Sequence, residues 1–333
     1  MANEKYLTLT DGRTLAYEDV GDQSSSLVIL FFHGVFGIGS APASLSPVFV
    51  EKRAHYIAPT LAGWGDSSPR SASMSYAVAL TSDMTALIMH LHPNTSNLRI
   101  YVAGGSYGTV PAQILYGAPF DMFPLGRHVV GCFLAAPFSP FRWHKDYTKS
   151  MTWQNYISVG PPSRIVPFQI IPRMAVWALS MKLSSVDQAE AFLRSLLFDS
   201  VLPEERAAHE RWRVSRGLEP GVFERQMATN MVKSIAKSWA GFIEASEVIH
   251  SDWGFCPKHL DEEHTVDRPL LISASEHDDL GPDMANWLQT NYRNAKLKWI
   301  HGKHLSTLYV MDELWAEMLV NEPAPLKEEP VRH

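Results

Sequence analysis

Arg99-Ile100-Tyr101-Val102-Ala103-Gly104-Gly105-Ser106-Tyr107-Gly108 decides how the rest of the chain is read. Its first half is an apolar run rich in β-branched and aromatic residues, as in a strand buried on both faces. It runs into Gly104-x-Ser106-x-Gly108, and the segment after that reads as a helix. A serine at a sharp strand-to-helix turn sits in a strained backbone conformation, and its neighbours two positions away must lack bulk. Such a turn lifts the hydroxyl above the sheet edge, beside helix N–H groups that favour a developing negative charge. A serine hydroxyl attacks well only when a base takes its proton. A base, and an acid to orient it, must come from elsewhere in the chain.

Upstream, Lys5 to Thr10 and Thr14 to Val20 alternate like exposed antiparallel strands around an Asp11-Gly12 turn. Leu27 to Phe32 and Tyr56 to Pro59 are continuous apolar runs, read as buried strands, with a helix over Ser44 to Arg53 between them. From Met74 to His92, apolar residues at steps of three and four predict an amphipathic helix, closed by Pro93. Val129 to Ala135 is another strand. Residues 138–265 then show no strand–helix alternation, only aromatic-rich loops and helices. The strongest period there is Phe223, Met227, Met231, Ile235, Trp239 and Phe242, read as one helix with Pro220 in its first turn. Alternation resumes with a strand at Leu270 to Ala274, a helix from Pro282 to Tyr292, a strand at Lys296 to Ile300 and a last helix over Leu305 to Val320. The pattern predicts a mostly parallel, eight-stranded α/β sheet with helices on both faces. Its core is residues 1–137 and 266–320, and a helical cap is inserted at 138–265. The Pro- and Glu-rich stretch 321–333 is expected to be a mobile tail.

The chemistry-bearing residues collect just past strand ends, where active sites of open α/β sheets form. After the last strand stand His301 and His304. His301 abuts the strand, a place for packing or solvation, which favours His304 as base. After the preceding strand stand Glu276, Asp278 and Asp279, with helix capping or a solvated loop as the other role for each. With Gly104-Gly105-Ser106-Tyr107-Gly108 and the order serine, acid, histidine, the chain resembles the α/β-hydrolase superfamily at both of its ends. The family's Gly-x-x-Asp-x-x-x-Pro pattern falls on Ser275 to Pro282, with Ser275 in the glycine place, and the resemblance makes Asp278 the acid. It implies an oxyanion hole from the backbone N–H groups of Val35 and Tyr107. His33-Gly34-Val35-Phe36-Gly37 departs from the family's His-Gly-Gly-Pro and His-Gly-x-Pro loops by lacking the proline. Pro59 to Ser67 is similar to the family's loop after the fourth strand, a structural turn with no catalytic role.

The serine turn and the resemblance together imply a serine hydrolase acting on a carboxylic ester through Ser106, His304 and Asp278, and the aromatic-rich cap suggests a small, moderately apolar substrate. Two other readings stand beside it. Relatives that remove N-terminal proline share Gly-Gly-Ser-x-Gly and bind the substrate amine with cap carboxylates, for which Glu204, Glu205 and Glu210 are available. Other relatives keep the triad and bind a small ligand as receptors. Epoxide hydrolases and dehalogenases carry aspartate where Ser106 stands. The aromatics from Phe138 to Tyr156 are either pocket walls or cap packing, and His90 and His92 read as caps of a helix C-terminus. No phosphate-cradling glycine loop or metal-ligand cluster is apparent, so no cofactor and no metal are expected. The 333 residues are 46% hydrophobic with a net charge of -6, which argues against a nucleic-acid or anionic-membrane surface. No stretch reads as a membrane span, because Ile165 to Met181 is broken by Pro167, Pro172 and Arg173. The absence of a signal-like N-terminus and the two distant cysteines, Cys132 and Cys256, favour a cytoplasmic protein acting on a small-molecule substrate.

Overall fold

The structure, a computed structural model, describes residues 4–322. The eight expected strands are β1 (Lys5–Thr8), β2 (Thr14–Gly21), β3 (Leu27–Phe32), β4 (His55–Pro59), β5 (Arg99–Gly105), β6 (Val129–Ala135), β7 (Leu270–Ser275) and β8 (Ala295–Ile300). They form one sheet in the order β1-β2-β4-β3-β5-β6-β7-β8. β2 pairs antiparallel with β1 and β4, and every other pairing is parallel.

Both sheet faces are covered, which is why the central strands are apolar throughout. Alternate residues point to opposite faces. Ile100 and Val102 of β5, with Cys132 and Leu134 of β6, enter one core. Tyr101, Ala103, Phe133 and Ala135 enter the other. The second core is closed by α1 (Pro47–Glu51) and by a helix near the C-terminus, where Phe49 meets Trp315 edge-on at 5.0 Å. The first is closed by α2 (Tyr76–Leu91) and α3 (Thr109–Gly117), among others. Ser75 caps α2 by accepting the Val78 N–H, and the apolar stripe read from sequence is its buried face.

Between β6 and β7 the chain is helical: α4 (Trp153–Ser158), α5 (Pro161–Ile165), α6 (Ile170–Ser180), α7 (Val186–Leu197), α8 (Pro203–Ser215), α9 (Val222–Ile235), α10 (Ala240–His250) and α11 (Glu262–Thr265). Leu183, Ala189 and Leu193 pack on Ala228, Met231 and Ile235 as a small core of its own. The two ends of this insertion join the main core instead, through Phe138, Phe141, Tyr147, Trp253 and Phe255. Phe141 stacks on Tyr147 at 3.7 Å, so Phe138, Phe141 and Tyr147 are packing, whereas Trp143, Trp153 and Tyr156 are exposed. After β7 come α12 (Asp283–Asn291), then β8, α13 (Ser306–Tyr309) and α14 (Met311–Met318).

Three expectations are corrected. The long period from Phe223 to Phe242 spans two helices, because the chain breaks between Ile235 and Ala240 to meet the loop after β4. Pro220 lies ahead of α9, whose N-cap is Gly221 in the left-handed region. The last helix is split at Val310. In the stretch expected to be a tail, Glu322 is buried. Its carboxylate takes a two-pronged ion pair from Arg99 at 2.7 and 2.8 Å, and its carbonyl accepts from Lys52 Nζ. Residues 323–333 of that stretch lie outside the described residues. Among the described residues no helix is long and apolar enough to cross a membrane.

Candidate active site

Ser106 follows the last residue of β5 and has a φ of 53°, in the left-handed region that a side chain enters only when its surroundings force it. The forcing is visible in the glycines. A Cβ on Gly104 would run into the Gly108 carbonyl, and one on Gly108 into the Phe32 carbonyl, so turn and neighbouring strand close to backbone contact. The Ser106 carbonyl accepts from Thr109 Oγ1 at 2.6 Å. That hydroxyl oxygen in turn accepts the Phe138 N–H at 3.1 Å, tying the turn to the start of the insertion.

The loop after β3 lies against the serine: a Cβ on Gly34 would be 3.4 Å from that of Ser106. The Val35 N–H has no hydrogen-bond partner among the described residues. The Tyr107 N–H begins a short 3₁₀ turn, where the helix itself offers no acceptor. The loop is held by its own backbone, without a proline. Gly37 N–H donates to the Gly34 carbonyl at 3.0 Å, and Phe36 sits at a φ of 59°. His33 is buried and bridges two loops. Its Nδ1 donates to the Gly34 carbonyl at 2.8 Å, and its Nε2 accepts the Leu61 N–H at 3.0 Å. Burial drives its pKa down to about 4, so it is a neutral strut.

His304 and Asp278 meet across the ends of β8 and β7, with His304 Nδ1 2.8 Å from Asp278 Oδ2. The other carboxylate oxygen accepts the Leu280 N–H at 2.9 Å. Burial pushes the Asp278 pKa up, but the His304 charge, its hydrogen bond and the Leu280 N–H outweigh this, and the net shift is downward. Burial pushes His304 down, the Asp278 charge and hydrogen bond push harder, and its pKa is raised. A carboxylate on Nδ1 leaves Nε2 unprotonated and free to accept a proton. The side chain is 27% exposed, so Nε2 can be reached. Ser106 Oγ makes no hydrogen bond to His304 in this conformation.

The rivals are otherwise engaged. Glu276 holds His301 at 2.9 Å, with both side chains about half exposed. Asp279 does not cap α12, whose N-cap is Pro282 with no side-chain bond. Its carbonyl accepts instead from Thr152 N–H and Asn155 Nδ2. Glu276, His277 and His301 bring ligand atoms within 4.8 Å of one another at the surface, a set that could hold a divalent cation.

The insertion reaches both the loop after β3 and the loop after β8. Glu205 of α8 is 2% exposed, and its two oxygens accept Lys303 N–H at 3.0 Å and Ser306 Oγ at 2.8 Å, on either side of His304. Phe36 stacks on Phe242 of α10 at 4.8 Å and stands edge-on to Trp64 and Trp239. The loop after β4 joins the break between α9 and α10 through Gly65 N–H to the Ser234 carbonyl and Gly241 N–H to the Gly63 carbonyl. Of the carboxylates weighed as amine binders, Glu205 is thus occupied, Glu210 is paired with Arg213, and Glu204 is exposed. His92 does stand at the C-cap of α2, with its N–H on the Ile88 carbonyl, but its ring turns inward to His55 at 2.8 Å, and His55 reaches Asp19 at 3.0 Å. Neither this buried chain nor the Glu205 contact leaves a mark in local spacing, since each joins residues far apart in sequence.

No protein-family model matches the chain, and no curated protein matches it. Among solved structures it is similar to a hydrolase from Pseudomonas aeruginosa PA01, at 15% identity and a TM-score of 0.60, over 96% of this chain and 97% of that one. It is similar to an esterase from Rhodococcus sp. ECU1013, at 13% identity and a TM-score of 0.60, over 97% and 100%. A structure from a study of carboxylesterases of the thaumarchaeon Nitrososphaera gargenis matches at 14% identity and a TM-score of 0.58, over 95% and 96%. At such identities the likeness is one of fold.

Proposed function

From the α/β-hydrolase fold of this chain, we propose that it is a serine hydrolase cleaving a small, moderately apolar carboxylic ester, with residues 138–265 as a cap over the site. The observation that carries the reading is the left-handed Ser106 turn together with the Asp278–His304 pair on the same edge of the sheet. Ser106 Oγ bonds to the acyl carbon while its proton passes to His304 Nε2. The carbonyl electron pair moves onto oxygen, where the Val35 and Tyr107 N–H groups receive it. Asp278 stabilises the imidazolium without taking its proton. Collapse of the tetrahedral species breaks the ester C–O bond, and His304 protonates the leaving alcohol. Water, deprotonated by His304, then releases the acid and restores Ser106. Closing the Ser106–His304 distance accompanies substrate binding, as catalytic hydrogen bonds often tighten only in the complex.

The occupied state of Glu205 and Glu210 favours an ester over a peptide with a free amine. The unpaired thiols of Cys132 and Cys256 accord with a cytoplasmic setting. The test is labelling by a fluorophosphonate, read as intact mass. We expect one adduct on wild type, none on Ser106→Ala, and much slower labelling of His304→Ala. Protein that takes the label should turn over short-chain esters and not prolyl amides. A folded wild type that takes no label and turns over no ester would refute the hydrolase reading and leave a ligand-binding scaffold.

A further inference from the structure

The outer face of helices α4 to α6 is apolar and cationic. Ile170, Met174, Trp177 and Met181 succeed one another at steps of four, three and four, which stacks them on one side of α6. A helix of a globular domain turns such a stripe inward. Here it faces solvent: Trp177 is 76% exposed, and Phe168, in the turn ahead of α6, is 85% exposed. Trp153, on neighbouring α4, is exposed as well. Phe168 and Gln169 both have positive φ, so the chain holds Phe168 outward at a conformational cost. A contiguous apolar surface of this kind marks a binding face.

Its charge says what it binds. Residues 147–186 contain no aspartate or glutamate, but they do contain Lys149, Arg164, Arg173 and Lys182, in a chain whose net charge is -6. None of these four forms a salt bridge among the described residues. Arg173 donates to the Phe168 carbonyl at 3.2 Å, and Lys182 lies over the Phe192 ring. Glu247, bonded by Gln169, stands at the edge of the face. We propose that this face docks on an anionic lipid bilayer, with α6 in the plane of the interface, Trp177 and Phe168 among the acyl chains, and Arg164, Arg173 and Lys182 at the headgroups. The expectation against anionic membranes drawn from net charge is an average over the chain. A bilayer responds only to charges within about a Debye length, roughly 8–10 Å. A second copy is a poorer occupant, because two-fold pairing would set the same cations against one another. Attachment is peripheral, since no helix among the described residues is long and apolar enough to span.

The test is sedimentation of the whole protein with phosphatidylcholine vesicles, with and without phosphatidylserine. Wild type is expected to partition onto the anionic vesicles, more weakly at high salt, and to leave neutral ones largely unbound. Arg173→Ala and Lys182→Ala are each expected to lower partitioning about fivefold. Trp177→Glu and Phe168→Glu are each expected to lower it more than about tenfold without moving the melting temperature. Val50→Glu, an exposed apolar position on α1, and Ser106→Ala are expected to bind as wild type, so that docking and hydrolysis fail separately. Binding that ignores phosphatidylserine, or survives both glutamate substitutions, would overturn the proposal. So would a dimer that Trp177→Glu dissolves in a protein that ignores vesicles, which would assign the face to a second copy.

Discussion

Replacing Glu205 should damage catalysis from a distance. Its carboxylate bonds the Lys303 N–H and Ser306 Oγ, one residue before His304 and two after it. Hydrogen bonds to a charged group are worth about 1.5–3 kcal/mol each, and alanine leaves the half-buried Lys303 N–H without an acceptor. The loss should therefore be roughly 3 kcal/mol of local stability. The loop that carries His304 then drifts, and a misplacement near 1 Å costs about 10²-fold in rate. Steady-state kinetics of Glu205→Ala on a short-chain ester should show that fall in kcat with KM little changed. Its acid limb should also move down, because a loosened His304 loses the contact with Asp278 that raises its pKa. Glu205→Gln should recover most of the rate. Its amide oxygen still accepts the Lys303 N–H, and its NH₂ donates to Ser306 Oγ. An alanine variant with a lowered melting temperature but kcat within about threefold of wild type would refute the positioning argument. A glutamine variant as poor as alanine would show that charge, not hydrogen bonding, matters.

Three further outcomes are expected of the site and its surroundings. The raised His304 pKa places the acid limb of kcat/KM above the ordinary histidine value of about 6.5, and Asp278→Asn should lower both the limb and the rate, in a pH–rate profile. His33, His55 and His92 are held neutral by burial, so each contributes stability that is present above about 6.5 and is lost as pH falls toward the folded value. For His33, with a folded value of about 4, the loss is about 3 kcal/mol, visible as a falling urea midpoint that His33→Gln flattens. Phe36→Ala removes the stacking on Phe242 and should cost about 2 kcal/mol and lower kcat more than it raises KM.

The sheet was legible because its signal is local. Runs such as Leu27 to Phe32 declare burial on both faces, and all eight strands appear where they were expected, although β2, read as exposed from its alternation, is buried over Leu15 to Tyr17 because it lies between β1 and β4. The serine turn was legible because backbone contact at Gly104 and Gly108 admits only glycine. The pairing of Asp278 with His304 could be read only through the family resemblance, since strand ends alone left Glu276 and Asp279 open as the acid. What was hidden depends on partners remote in sequence. Glu205 read as one more acid on a charged helix, since Lys303 is 98 residues away. His92 was legible as the cap of α2, but nothing near it announces that its ring turns to His55. The break between α9 and α10 was invisible because Trp239 and Phe242 keep the helical period while turning to pack on Phe36.

The contacts of the insertion with the two loops limit how such a protein can be recombined. A graft of residues 138–265 from a distant relative would bring a new pocket, but it would remove the carboxylate beneath His304 and the aromatic rings that brace Phe36. The recipient sheet would keep its serine turn and its aspartate and still be a poor catalyst. On the proposed reading, the choice of substrate and the competence to attack it would be inherited together, and a chimaera must carry Glu205, Trp239 and Phe242 across to separate them.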